Sequence, residues 1–203
     1  GRPVVPVFWI AGEDHDIAEV NHIYIPVKEA EPARIRLPAA DGSAGRIPVS
    51  RLRIAWDQWE HVLDELERCL QPTEFKQGLV GEMRELCSGA DTLSELFAKM
   101  MARLFGRYGL VLADSDDPRL RALEAPFFRA IIDKNGTLAA ALAEGKRRVE
   151  ALGYTPSAEV RDACANLFWV RENERHLLFR EQGGFSDRTG SLKVTEAELV
   201  RMA

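Results

Sequence analysis

Residues 7–22 read VFWIAGEDHDIAEVNH, and this stretch decides the fold because an apolar run ends abruptly in the acidic segment GEDHD at 12–16. A near-continuous apolar run of this kind, here spanning residues 4–11, is typical of a strand covered on both faces. The same pattern returns at 109–117, where GLVLAD runs into DSDD. The sequence therefore predicts two buried strands that each end in carboxylates.

The intervening sequence begins with a second strand candidate, NHIYIPV at 21–27, and a long loop at 29–50 in which residues 33–37 could form a short strand. It is helical after that. Apolar residues recur at three- and four-residue spacing over 56–70, 75–86 and 93–104, and a further helix is predicted to follow Pro118, with a kink or break at Pro126. The order strand, helices, strand, helix predicts an α/β layer with parallel strands. In such sheets ligands bind beyond the carboxyl ends of the strands, so the two acidic segments are expected to share one rim.

Six carboxylates on one rim repel one another, a destabilising arrangement that is typical of a functional site. They are Glu13, Asp14, Asp16, Asp114, Asp116 and Asp117. Structural roles compete with this hypothesis: Asp117 is well placed to cap the next helix, and Asp14 or Asp16 to cap a short helix over Ile17–Val20. His15 or His22 could be a structural histidine.

Three kinds of chemistry fit such a rim. A carboxylate with His15 as partner could act as a general base. His15 and His22 with nearby carboxylates could bind zinc or manganese as in a metal-dependent hydrolase, although the six-residue gap between them matches no common ligand spacing. The carboxylates could also recognise an ammonium group, sugar hydroxyls or, in a non-catalytic scaffold, a basic partner.

Composition limits the classes of binding partner and the cellular location that we predict. The net charge is −5 with interspersed signs, which argues against nucleic acid or an anionic membrane surface as a partner. No apolar run approaches the roughly 20 residues that span a bilayer. The cysteines, Cys69, Cys87 and Cys164, are widely spaced and predict free thiols in a reducing, cytoplasmic location.

The sequence changes character near residue 155. Two β-rich runs at 166–185 predict a hairpin, and Thr195 with Glu198 forms a capping box that opens a helix. We predict two domains: residues 1–154 as part of a core with helical segments, and 155–203 as a smaller β-containing region.

Three stretches together resemble the bacillithiol biosynthesis cysteine-adding enzyme family, BshC. They are PVFWIAGEDHDIAEVNHIYI (6–25), GLVLADSDDPRLRALEAPFF (109–128) and NLFWVRENERHLLFR (166–180). The resemblance implies an internal piece of a longer protein that also has an amino-terminal core segment and a carboxyl-terminal coiled coil. It further implies a Rossmann-like core similar to class I aminoacyl-tRNA synthetases, with 155–203 as a connecting-peptide-like insertion, and a homodimer in the full-length protein.

The family implies a ligase that joins cysteine to glucosaminyl-malate in the last step of bacillithiol synthesis. It also implies a nucleotide cofactor, ATP or ADP, and no metal. HIGH-type and KMSKS-type signatures, which activate ATP in class I synthetases, are not present in this sequence, so no residue here inherits that role.

On this hypothesis the attacking amine needs a general base, which we assign to Asp14 or His15. Glu13 and Asp16 would orient the base or hold sugar hydroxyls. The predicted substrate contacts are Asn21, His22, Asp114, Ser115 and Asp116.

Overall fold

A computed structural model describes residues 2–27, 31–38, 47–157, 160–171 and 174–202. The chain forms two compact units, Gly1–Asp117 and Pro118–Ala203. In chain order the elements of the first unit are β1 (Val7–Ile10), α1 (Ile17–Val20), β2 (His22–Ile25), β3 (Ala33–Arg36), a 3-10 turn (Val49–Arg51), α2 (Trp56–Cys69), α3 (Lys76–Ser88), α4 (Leu93–Phe105), a second 3-10 turn (Gly106–Tyr108) and β4 (Val111–Asp114).

The two apolar runs that end in acidic segments are neighbouring parallel strands. β1 pairs with β4 in a register that sets Val7 opposite Val111 and Ile10 opposite Asp114. Two parallel strands connected through helices confirm the α/β prediction. Because both strands run the same way, the segments that follow them emerge at the same end of the pair.

The expectation that β1 is covered on both faces is wrong for this structure. Side chains alternate between faces along a strand, and Val7 and Trp9, which share one face, are 59% and 51% exposed. The opposite face is better covered: Ile10 is buried, and the Phe8 ring lies 5.5 Å from the Phe97 ring of α4. The apolar pattern of β1 therefore identifies a strand suited to burial on both faces, whereas α4 covers only one of them.

The core of the first unit lies among the helices. Trp59 and Leu63 of α2 pack with Cys87 of α3 and Leu96 of α4. The Trp59 indole Nε1 donates a 3.0 Å hydrogen bond to the Ala90 carbonyl, which pairs the one polar atom of this buried ring. The predicted apolar stripes are confirmed as core at their central positions. The prediction is wrong for four stripe residues that are exposed, namely Trp56, Phe75, Leu79 and Leu104.

A small antiparallel sheet follows the first acidic segment. β2 pairs with β3, so the strand predicted at 21–27 and the short strand predicted at 33–37 form a hairpin. The short helix α1 separates β1 from β2 and occupies the residues where it is predicted. It places the first acidic segment between β1 and a helix start.

The second unit consists of two long helices and an antiparallel sheet. Its elements are α5 (Pro118–Asp133), α6 (Asn135–Ala151), β5 (Cys164–Arg171), β6 (Glu174–Glu181), β7 (Gly184–Asp187), β8 (Lys193–Thr195) and α7 (Glu196–Met202). Strand order in the sheet is β5-β6-β7-β8. The predicted hairpin is confirmed as β5 and β6, and its turn residues 172–173 lie outside the described residues.

Two local predictions for this unit meet different outcomes. α5 continues through Pro126, so the helix does not break there. The capping box at the start of α7 is confirmed, since the Glu198 amide donates to Thr195 Oγ1 at 3.2 Å and the Thr195 amide donates to Glu198 Oε2 at 2.8 Å. The division at 154/155 and the insertion role of 155–203 stay predictions.

Candidate active site

The two acidic segments meet directly beyond the ends of β1 and β4. The Ser115 amide donates to the Ile10 carbonyl at 3.0 Å, which continues the parallel ladder by one bond. The Glu13 amide in turn approaches Ser115 Oγ at 3.4 Å, and Ser115 is 2% exposed. The predicted juxtaposition of GEDHD and DSDD is therefore present, with Ser115 buried between them.

A glycine permits this close approach. A Cβ atom built on Gly12 would lie 2.8 Å from Asp114 Oδ2 and 2.9 Å from its Cγ, with Oδ1 nearer still. Carbon and oxygen atoms need more than 3 Å, so no other residue fits at position 12 unless Asp114 moves. The Asp114 carboxylate is itself held, since Oδ1 accepts a 2.9 Å hydrogen bond from the Asp116 amide.

A third segment, the 3-10 turn at Val49–Arg51, joins both acidic segments. The Val49 amide donates to the Asp14 carbonyl at 2.7 Å, and the Ser50 amide donates to the Gly12 carbonyl at 3.0 Å. We call residues 12–16, 49–51 and 114–117 together the three-segment frame. The frame was not predicted from the sequence, which places Val49 and Ser50 at the end of a long loop over 29–50.

Side chains of the turn bind the second acidic segment. Arg51 donates from Nε to Asp116 Oδ2 at 2.7 Å and from Nη2 to Oδ1 at 2.8 Å, and Ser50 Oγ lies 2.6 Å from Oδ2. The Asp116 side chain is only 8% exposed, against 38% for Arg51. The hydrogen bonds to Asp116 raise the pKa of the Arg51 guanidinium above its ordinary value. This bidentate pair neutralises one carboxylate of the rim.

Asp14 and His15 are adjacent and partly exposed members of the frame, and Asp16 and Arg51 are exposed as well. Asp14 Oδ1 accepts the His15 amide at 2.7 Å and lies 3.4 Å from His15 Nδ1. The two side chains are 55% and 40% exposed, so a solute can reach the Asp14 carboxylate and part of the His15 ring. The His15 Nδ1 atom itself is buried and makes no hydrogen bond. Asp16 occupies the N-cap position of α1, yet its side chain makes no capping bond, so the structural alternative of an Asp16 cap is wrong.

The remaining predicted contacts differ in their surroundings. Asn21 is 3% exposed and joins α1 to β3: its amide donates to the Ile17 carbonyl at 3.0 Å, and its carbonyl accepts from the Leu37 amide at 2.8 Å. His22 is half-buried beside it and packs edge-on against the Tyr24 ring at 5.4 Å. The hydrogen bonds described above do not link either residue to the frame, and the assignment of both as substrate contacts stays a prediction.

The structure does not favour the metal alternative. Within the described ranges, no group of three or more His, Cys, Asp or Glu side chains is arranged to hold a metal ion.

None of the helices in those ranges is long and apolar enough to cross a bilayer.

Sequence comparison identifies the family. Residues 1–203 match the family described as "Bacillithiol biosynthesis BshC, N-terminal Rossmann-like domain". The chain belongs to the BshC family. Its relatives include the "Putative cysteine ligase BshC" of Bacillus licheniformis, 34% identical over 97% of this chain and 36% of that protein.

Relatives of the same name in Geobacillus thermodenitrificans and Geobacillus kaustophilus are each 35% identical over 100% of this chain and 37% of their own length. The chain thus spans a little over a third of these BshC relatives. The resemblance that the acidic segments indicate is confirmed, as is the Rossmann-like class of the domain.

Proposed function

We propose that the protein containing this chain is a ligase that joins cysteine to glucosaminyl-malate in the last step of bacillithiol biosynthesis. Membership of the BshC family supports the pathway. The observation that carries the assignment of the site is the meeting of two acidic segments beyond the carboxyl ends of β1 and β4, where α/β sheets bind their ligands.

The proposed chemistry is amide formation. The glucosamine nitrogen attacks the activated carboxyl carbon of cysteine, the C–N bond forms, and the activating group departs with the carboxyl oxygen. An amine that is protonated at neutral pH has no lone pair for this attack, so a base must remove its proton. Asp14 and His15 are suited to this role because they are adjacent, with Oδ1 and Nδ1 3.4 Å apart, and because both side chains are partly exposed even though Nδ1 itself is buried.

Other residues of the frame have supporting roles in the proposal. Glu13 and Asp16 orient the base or hold sugar hydroxyls, and Asp114 with Ser115 shapes the floor between the strand ends. A nucleotide, ATP or ADP, would supply the activation of cysteine. We also propose a synthetase-like core, a cytoplasmic location and a homodimer for the full-length protein.

The test uses the full-length enzyme. Cysteine and glucosaminyl-malate are incubated with each nucleotide in turn, and bacillithiol is detected by mass spectrometry. We expect product with one nucleotide and a loss of turnover of about 100-fold or more in Asp14→Asn or His15→Ala, the range for removing a general base. His61→Ala, which removes an exposed imidazole from α2 outside the frame, is the matched control.

Unchanged turnover in both variants would remove Asp14 and His15 from the mechanism. No product with any nucleotide would refute the ligase assignment. Metal analysis of the active preparation separates the ligase from the hydrolase alternative, because the ligase proposal requires no stoichiometric transition metal.

A further inference from the structure

We propose that Arg51 and Ser50 are positioning residues for the reaction, which fix the two acidic segments at one spacing by holding Asp116. This inference rests on the proposed function and extends it to a segment that the sequence pattern does not single out. It concerns how the accessible pair, Asp14 and His15, is kept in place.

The first step is the backbone of the turn. Two consecutive amides, those of Val49 and Ser50, donate to the carbonyls of Asp14 and Gly12 at 2.7 and 3.0 Å. Both acceptors lie in the first acidic segment, on either side of Glu13. The turn therefore fixes the backbone of residues 12–14, immediately before His15.

The second step is the side chains of the same turn. Three donor atoms, Ser50 Oγ, Arg51 Nε and Arg51 Nη2, bind the two carboxylate oxygens of Asp116 at 2.6 to 2.8 Å. A bidentate Arg–carboxylate pair fixes orientation as well as distance, because both groups are planar. One short turn thus binds the first segment through its backbone and the second through its side chains.

The third step concerns charge. Carboxylates on two adjacent segments repel one another, and this repulsion favours separation of the segments. Arg51 opposes it because its guanidinium lies against Asp116, whose side chain is 8% exposed and therefore poorly screened by water. The pair therefore allows two segments dense in carboxylates to lie next to each other.

This arrangement distinguishes positioning from direct catalysis. The side-chain hydrogen bonds of Ser50 and Arg51 described above go to Asp116, and Asp116 is nearly inaccessible to a solute. Loss of Arg51 should therefore disturb the geometry of Asp14 and His15 rather than remove a substrate contact. A displacement of about 1 Å in a reacting group can lower turnover about 100-fold.

The test compares Arg51→Gln, Arg51→Lys and Ser50→Ala with wild type in the full-length enzyme. We expect Arg51→Gln to lower kcat by about 10- to 100-fold while KM for either substrate changes by less than about threefold. Arg51→Lys should give an intermediate kcat, because lysine restores the charge without the bidentate fork. Ser50→Ala should have the smallest effect.

Arg53→Gln is the matched control. Arg53 lies two residues after Arg51 and forms an ion pair with Asp91. The two side chains of this pair are 78% and 64% exposed, and the pair lies outside the frame. The same change of arginine to glutamine there should leave kcat unchanged. Circular dichroism and melting temperature check the fold of each variant, and if Arg51→Gln does not fold, Arg51→Lys and Ser50→Ala decide.

Amide hydrogen exchange gives a readout that does not depend on activity. Peptides covering 10–16 and 47–54 should exchange faster in Arg51→Gln than in wild type or Arg53→Gln, since the Val49 and Ser50 amides are bonded within the frame. Equal exchange and equal kcat in the two arginine variants overturn the proposal, as does a change confined to KM. A wild-type enzyme that makes no bacillithiol refutes the proposed function, whereas exchange still decides whether Arg51 holds the frame.

Discussion

Replacement of Gly12 by alanine should destabilise the chain, although alanine is ordinarily the more stabilising residue. The φ angle of Gly12 lies outside the left-handed region, so alanine can adopt the backbone conformation. The obstacle is the Asp114 carboxylate, which lies 2.8 Å at Oδ2 from the position of the new Cβ. Asp114 must turn away and lose the 2.9 Å hydrogen bond that it accepts from the Asp116 amide.

The magnitude follows from two opposing terms. A hydrogen bond to a charged group contributes about 1.5–3 kcal/mol. Replacing glycine by alanine restores about 0.4–1 kcal/mol by restricting the unfolded chain. We expect a net loss of about 1–2 kcal/mol, which lowers Tm by about 2–8 °C for a chain of this size.

Thermal unfolding followed by tryptophan fluorescence measures this, because three of the four tryptophans, Trp9, Trp56 and Trp59, lie in the first unit. Gly81→Ala is the control: it lies within α3 with no atom within 4 Å of a built Cβ, so it should stabilise by about 1 kcal/mol. A Gly12→Ala variant that melts at or above the wild-type temperature would refute the argued clash.

Three further changes test the second unit and the thiols. Asp187 accepts hydrogen bonds from a backbone amide and two hydroxyls, which hold its pKa well below the usual range. Its carboxylate therefore stabilises the fold above about pH 4, and this contribution is lost as the pH falls further. Asp187→Asn should lower the urea midpoint at pH 7 and reduce the loss of stability that wild type shows in acid. Burial raises the pKa of the Cys87 thiol to about 11, so iodoacetamide at pH 8 should modify the partly exposed Cys69 first, as peptide mass spectrometry will show. The buried amide of Asn135 donates to a β5 carbonyl at 2.7 Å, and Asn135→Ala should reduce the free energy of unfolding by about 1–3 kcal/mol in urea titrations, whereas an unchanged midpoint would contradict a structural role for that bond.

The sequence predicts the features that depend on local pattern. Apolar runs of strand length and helical spacing identify β1, β4 and α2 to α4, and the parallel pairing follows from their order. Where a tertiary contact competes, local pattern misleads. The Asn135-Gly136 pair is typical of a turn, yet Asn135 begins α6 because its side chain is bound to the Ala165 carbonyl.

The candidate site was likewise predictable only in part. Its carboxylates are visible in the sequence because they are dense and follow apolar runs. Arg51 is not, because its partner Asp116 is 65 positions away and nothing nearby marks the pair. The available signal was weaker: Pro48 and Val49 are apolar residues within a polar loop, and both are buried.

Trp9, on the exposed face of β1, is an intrinsic fluorescent probe of that face. Its indole is half in water beside Val7 and Val111, on a surface whose apolar character exceeds what a solvated strand needs. Removing this indole from water would shift its emission to shorter wavelength and shield it from acrylamide. Acrylamide quenching of wild type and of Trp9→Phe would isolate the signal of this one tryptophan from the other three.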